Sequence, residues 1–216
     1  DSSEDYDDDA DTILDVDDSC AKGLLNWISD TLDDHDGDGC EDSAEDFDDD
    51  ADGICDTGGP SADCSRGIRG QDMCPLSTIG FISHQGNDID GDGCEDLTED
   101  FDDDGDGYLD ENDGCPMIFG SSSQGGVLGC LDLDGDGWAE SVDAFVYDGT
   151  QWSDIDEDGY GDNAEGNDAD GCVSIAGDSL YDRLGCRDSD GDGWSNPDTS
   201  YTAEDGADAF PSDDTQ

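Results

Sequence analysis

The stretch Asp102 to Pro116, DDDGDGYLDENDGCP, carries seven carboxylates in its first twelve residues. At an effective dielectric of about 20, two like charges about 4 Å apart repel by about 4 kcal/mol, so no fold gathers these groups around one point unaided. Either the segment lies open in water or a cation sits among the oxygens. Numbered from Asp102, acids fall at positions 1, 3, 5, 9 and 12 (Asp102, Asp104, Asp106, Asp110 and Asp113), with Gly107 at position 6. This is the spacing of a calcium loop, in which hard oxygen ligands surround one ion and the glycine permits a sharp turn. The expected cation is therefore Ca2+.

The spacing recurs in seven more loops. Asp7, Asp9, Asp11, Asp15 and Asp18 keep it, with Thr12 in place of the glycine. Asp34, Asp36, Asp38, Asp42 and Glu45 keep it around Gly39, and Asp88, Asp90, Asp92, Asp96 and Glu99 around Gly93. Asp132, Asp134, Asp136, Glu140 and Asp143 follow around Gly137, then Asp154, Asp156, Asp158, Asp162 and Glu165 around Gly159. Two loops lack an acid at position 12: Asp48, Asp50, Asp52 and Asp56 run on to Gly59, and Asp188, Asp190, Asp192 and Asn196 to Thr199. Those two sites are expected to be weaker or to borrow a ligand. Asp46 and Asp100, between paired loops, mark where further ions are expected, while Asp168-Ala-Asp170-Gly171 reads as a plain turn.

Composition sharpens the choice between coil and ion cage. The 216 residues hold 65 acidic side chains against five basic ones, a formal charge of -60, and only 33 are Leu, Ile, Val or Phe. Such a chain is disordered unless something other than a core supports it. Ten cysteines and acids at fixed spacing, rather than in random blocks, argue for support by disulfides and metal. The charge repels nucleic acid and anionic membranes, so neither is a direct partner. No apolar run reaches the roughly 20 residues needed to cross a bilayer. The chain starts at Asp1 with no Met and no secretory signal, which reads as a mature or excised segment.

Position 8, where an EF-hand carries an apolar residue, holds Glu41, Glu95, Gly161 and Ser195 in four loops, so these are not EF-hands. Position 7 is apolar throughout (Ile13, Cys40, Ile54, Cys94, Tyr108, Trp138, Tyr160 and Trp194), and these side chains are expected to form the core. The alternative is that the aromatics stand exposed and bind sugar or a partner.

The segment starting at Asp36, DGDGCEDSAEDFDDDADGICD, returns 54 residues later as DGDGCEDLTEDFDDDGDGYLD from Asp90. Residues 1–114 are thus read as paired-loop repeats, with units near 1–19, 34–59 and 88–114. Residues 115–216 are read as more widely spaced single-loop repeats, in one continuous rod. DAFVYDGTQWSD from Asp143 reappears as DAFPSDDTQ from Asp208, so the chain is expected to be a window on a longer array. With no C-x-x-C, the cysteines suggest disulfides and an oxidising, extracellular compartment rather than zinc. Among many connectivities, sequential pairing is expected: Cys20–Cys40, Cys55–Cys64, Cys74–Cys94, Cys115–Cys130 and Cys172–Cys186. Regular secondary structure is expected to be scarce, with an amphipathic helix over Ala21 to Leu32 and a short strand over Ser77 to Ser83. Turn residues dominate elsewhere.

DDDGDGYLDENDGCP, DLDGDGWAESVDAF and DSDGDGWSN resemble thrombospondin type 3 repeats and the related aspartate-rich repeats of bacterial and archaeal surface proteins. The resemblance covers nearly the whole chain, although stretches such as Thr57 to Asn87 are longer and less regular than in that family. It implies an irregular, elongated, extracellular array of calcium loops wrapped around about eight or more ions and stapled by disulfides, with the acids above as ligands. The expected function is non-enzymatic: a stalk, spacer or filament subunit on a microbial cell surface, contacting further repeats or other copies through calcium bridges, short strands or Trp27, Trp152 and Tyr201. A calcium store or mineral nucleator, a nucleic-acid mimic and an enzyme are the rivals. The last has little to work with, since the two histidines are His35, at an outward-facing loop position 2, and His84, in a polar linker.

Overall fold

A computed structural model describes residues 6–56, 64–67 and 70–215. The described chain is a succession of turns and bends with no helix and no extended strand; its only pairings are isolated parallel bridges, Ile54 with Ser65 and Gly161 with Ala169. Among the described residues no helix is long and apolar enough to cross a membrane. It divides into two compact units, one of residues 1–105 and 109–111, the other of residues 106–108 and 112–216.

The expected helix over Ala21 to Leu32 does not form. Its backbone donors are drawn elsewhere: Gly23 N–H to Asp9 Oδ2 (3.0 Å), Leu24 N–H to Glu45 Oε2 (2.8 Å) and Ser29 N–H to the Asp11 carbonyl (2.9 Å). Asn26 takes a left-handed φ of 74°, which no helix tolerates. A helix this short is marginal without a packed apolar face, and Leu25, Ile28 and Leu32 all stand exposed. The expected strand over Ser77 to Ser83 fails for the same reason. Ser77 N–H goes to Asp50 Oδ2 (2.8 Å) and Ser83 N–H to the Asp52 carbonyl (3.0 Å), so this segment wraps the Asp48 loop instead of pairing with a strand.

Five disulfides join the cysteines in sequential order, and no cysteine is free. The interior also departs from expectation. Of the position 7 side chains only Cys40, Ile54 and Cys94 are buried, and Trp194 is exposed. The buried apolar set is mostly disulfide cysteines with Ile54, Phe81, Ala139 and Ala207, while aspartates supply the larger share of fully buried side chains. The aromatics find local partners: Trp138 stacks on Trp152 (6.1 Å) and Trp194 tilts against Tyr181 (5.9 Å).

Candidate metal centres

Eight loops share one backbone conformation. Position 4 has φ between 57° and 84° and position 6 between 91° and 100° in every loop, including Ala10, Ala51 and Glu157 at position 4 and Thr12 at position 6. A left-handed residue is costly for anything but glycine, so a pair of them repeated eight times marks a single built motif. The position 9 N–H donates to the carbonyl just before position 1 in all eight, from Asp15 to Tyr6 (2.9 Å) through Asn196 to Arg187 (2.7 Å). The position 5 carboxylate accepts the position 7 N–H in all eight, at 2.6 to 3.0 Å.

Position 1 is held more firmly still. Asp34 Oδ1 accepts from Gly37 (2.8 Å) and Asp38 (3.1 Å), and its Oδ2 from Gly39 (3.2 Å). Asp88 and Asp154 repeat all three bonds, and Asp132 and Asp188 those from positions 4 and 6. Position 9 has a framework role the spacing did not reveal. Asp15, Asp42, Asp56, Asp96, Asp110, Asp162 and Asn196 each accept the position 2 N–H of their own loop.

These restraints bring the acids at positions 1, 3 and 5 together. Asp7, Asp9 and Asp11 each offer an oxygen within 4.8 Å of the others, as do Asp34, Asp36 and Asp38; Asp48, Asp50 and Asp52; and Asp88, Asp90 and Asp92. Several oxygens in the cages are buried with no hydrogen-bond partner in the protein, among them Asp9 Oδ1, Asp11 Oδ2, Asp52 Oδ2 and Asp136 Oδ2. A buried anionic oxygen left unpaired costs several kcal/mol or more, so the arrangement calls for a cation. Every donor in the cages is an oxygen; the cysteines are all in disulfides, and His35 Nε2 lies 3.1 Å from the Ser77 carbonyl, half-buried rather than turned outward as expected. An all-oxygen set suits a hard divalent cation.

Burial, reinforced by neighbouring aspartates, pushes Asp36 and Asp52 up to about 7 and Asp48 to about 6, from an ordinary 3.8. Asp11, Asp136 and Asp156 shift the same way for the same reasons. The sign follows: without cation the folded loops bind protons more tightly than the unfolded chain. That proton-linked stability is full below pH 3.8 and is lost as pH rises through 6 and 7. In chelator the chain is expected to be compact at pH 4 and to expand by pH 8, while saturating calcium, which takes over the same oxygens, abolishes the expansion. Small-angle X-ray scattering across this range checks it, and a chelated chain of one size throughout would contradict the linkage.

Carboxylates also converge between paired loops. Asp42, Asp46 and Asp49 each offer an oxygen within 4.8 Å of the others, and Asp49 N–H donates to Asp56 (2.7 Å). The second pair repeats this one 54 residues on. There Asp103, buried with Oδ1 unpartnered, is pushed up to about 7 by burial and by Asp110, Asp96 and Asp100. Position 2 acids such as Asp49 and Asp103 lie outside the pattern of positions 1, 3, 5, 9 and 12; a carboxylate at position 2 in the second loop of each pair is the signal that marks them.

The acids at position 12 divide. Asp18, Asp113 and Asp143 each accept the N–H two residues on, from Cys20, Cys115 and Phe145, at 2.7 Å. Glu45 instead accepts from Leu24 N–H (2.8 Å), Glu99 faces Thr78 Oγ1 (3.5 Å), and Glu165 is exposed. Gly59 lies outside the described residues, and Thr199 is exposed. No family model matches the chain, and no curated protein matches it.

Proposed function

We propose that the chain is a non-enzymatic, extracellular structural protein whose loops fold around Ca2+, forming a calcium-stiffened rod that serves as a stalk, spacer or filament subunit on a microbial cell surface. The observation that carries this reading is the eightfold recurrence of one loop backbone, which in several of the loops buries carboxylate oxygens that have no hydrogen-bond partner in the protein. Calcium takes 6–8 oxygens in flexible geometry, whereas magnesium demands a near-ideal octahedron and keeps its waters, so loops this rich in carboxylate favour calcium. The thrombospondin type 3 resemblance points the same way, and the disulfides suit an oxidising compartment.

The mechanism is linkage. Ions bind the folded loops and not the unfolded chain, so each contributes RT ln(1 + [L]/Kd) to stability. Extracellular calcium modules bind at about 10⁻⁴ to 10⁻³ M, which suits a saline setting. Eight divalent ions neutralise only 16 of the 60 negative charges; the clusters at Asp42, Asp46 and Asp49 and at Asp96, Asp100 and Asp103 are the places for further ions. Trp152 and Tyr201 are engaged within the chain, so contacts with other copies fall to exposed residues such as Leu97 and Tyr147 and to calcium bridges. A calcium store or mineral nucleator needs acidity but no repeated loop conformation, and is the weaker reading.

Light scattering with circular dichroism on the non-reduced chain tests the proposal in calcium, in magnesium and in excess chelator. Chelation is expected to enlarge the particle or dissociate a polymer, calcium to restore it, and magnesium at the same concentration to fail. A size and spectrum indifferent to all three would sink the structural role of the ion.

A further inference from the structure

We propose that five of the eight loops are completed by an aspartate whose place is fixed by the fold and not by its count from position 1. These are Asp72 for the Asp48 loop, Asp170 for the Asp154 loop and Asp208 for the Asp188 loop, with Asp46 and Asp100 filling the same place in the paired loops. The inference rests on the calcium reading above and specifies its ligands. It replaces Glu45, Glu99 and Glu165, fills the two gaps at Gly59 and Thr199, and turns the fragment at Asp168 from a plain turn into a ligand carrier.

Asp143, which does stand at position 12, defines the geometry. Its N–H donates to the carbonyl at position 8, Ala139 (3.0 Å), and its Oδ1 accepts the N–H two residues on. Asp72, Asp170 and Asp208 reproduce both bonds. Their N–H groups reach the position 8 carbonyls of Cys55 (3.1 Å), Gly161 (2.8 Å) and Ser195 (2.9 Å). Their Oδ1 atoms accept from Cys74 (2.6 Å), Cys172 (2.7 Å) and Phe210 (2.6 Å). Asp46 and Asp100 do likewise, to Glu41 and Glu95 (both 3.2 Å) and from Asp48 (3.0 Å) and Asp102 (2.9 Å). The chain thus leaves position 8 and returns to the same carbonyl 4, 5, 9, 13 or 17 residues later.

A second observation points to a ligand. Asp72, Asp170 and Asp208 are 7%, 6% and 6% exposed, and the Oδ2 of each has no hydrogen-bond partner in the protein. Two of them face their cages: the charges of Asp52 and Asp50 bear on Asp72, and those of Asp158 and Asp156 on Asp170. Closing a longer chain segment costs only slowly more entropy, provided something holds the return, and each insert has its own fastening. The first is bridged by Cys55–Cys64. The second is gripped by buried Gln151, whose Oε1 accepts from Asn163 N–H (2.9 Å) while its Nε2 donates to the carbonyls of Asn163 (3.0 Å) and Asn167 (2.8 Å). The third is clamped by Arg183, paired with Asp198 (2.6 Å) and lying 4.4 Å over the Tyr201 ring.

The test measures calcium stoichiometry and affinity of the full, non-reduced chain by titration calorimetry, for the unaltered protein, Asp170→Asn and Glu165→Gln. Asparagine keeps the Oδ1 acceptor and removes the charge at Oδ2. Asp170→Asn is expected to weaken one ion by at least about tenfold, the lower end of what loss of even a supporting group costs a metal site, while Glu165→Gln leaves every ion unchanged. If the unaltered chain takes up no calcium, the calcium reading fails and this inference with it. If it binds calcium and Asp170→Asn binds as many ions as tightly, or Glu165→Gln loses the ion instead, this inference alone is overturned. Near-UV circular dichroism in saturating calcium verifies folding. Should Asp170→Asn not fold, carbodiimide labelling of the unaltered chain decides: calcium is expected to shield Asp170 and leave Glu165 reactive, and the opposite pattern overturns the assignment.

Discussion

Gly93→Ala is expected to cost the first unit about 3 kcal/mol or more in saturating calcium, against less than about 2 kcal/mol for Gly37→Ala. Both glycines are left-handed, Gly93 at φ 93° and Gly37 at φ 79°. They differ in what an added methyl group meets. At Gly93 a Cβ would lie 2.0 Å from Oδ1 of Asp72 and 2.5 Å from its Cγ, whereas at Gly37 nothing lies within 4 Å. The aspartate is in no position to yield, because its Oδ1 is held by Cys74 N–H and its own N–H by the Cys55 carbonyl. Backbone strain of about 1–3 kcal/mol and an unrelieved clash of about 1–3 kcal/mol therefore add at Gly93. At Gly37 only part of the strain applies, since the chain already carries Ala10 and Ala51 at the equivalent position. Thermal unfolding with calcium in excess reads the difference, a Tm loss on the order of 10 °C or more for Gly93→Ala. Equal losses for the two variants would show that the carboxylate does not pack where the structure places it.

The same contact explains why part of this fold was legible in the sequence and part was not. Each of these acidic loops is local: positions 1 to 9 fix one another through hydrogen bonds spanning at most nine residues, so their spacing survives as a visible pattern. The cysteines read well for a related reason, each pair bracketing one turn of the array. The closing carboxylate proposed above is different: the structure shows the chain returning to the position 8 carbonyl, and a return is indifferent to the number of residues spent outside. If that inference holds, counting to twelve meets the closing residue where no insert intervenes, as at Asp143, and lands on Glu45, Glu99 and Glu165 where the chain returns later. A signal was present in the residues that follow. Asp-x-Cys recurs at Asp18, Asp72, Asp113 and Asp170, Asp-Ala-Phe at Asp143 and Asp208, and Asp-Phe-Asp at Asp46 and Asp100. The expected helix and strand failed on chemistry that hydrophobic spacing does not register. The N–H of Leu24 goes to the Glu45 carboxylate, and those of Gly23 and Ser77 are shared between a tight local turn and the carboxylates of Asp9 and Asp50.

Reduction of the five disulfides is expected to abolish the fold even in saturating calcium. The bridges close sequence separations of 9 to 20 residues. At about 3 kcal/mol each they withhold on the order of 15 kcal/mol of chain entropy from the unfolded state. Eight ions at tenfold excess over Kd contribute about 1.4 kcal/mol apiece, roughly 11 kcal/mol together. The two sums are alike in size and each is comparable to the net stability of about 5–15 kcal/mol that folded domains retain. Neither is dispensable where the buried apolar set is mostly the cysteines themselves. The two losses differ in what remains. Chelated but oxidised, the chain keeps its crosslinks and expands only as far as they permit; reduced, it opens fully and binds calcium weakly, because each ion must then order its own loop. Radius of gyration and near-UV dichroism in the four combinations of oxidised or reduced, calcium or chelator, separate these states. A reduced chain that stays compact and spectrally unchanged in calcium would mean that the ions alone hold the fold, and that the bridges merely follow a shape already set by the loops.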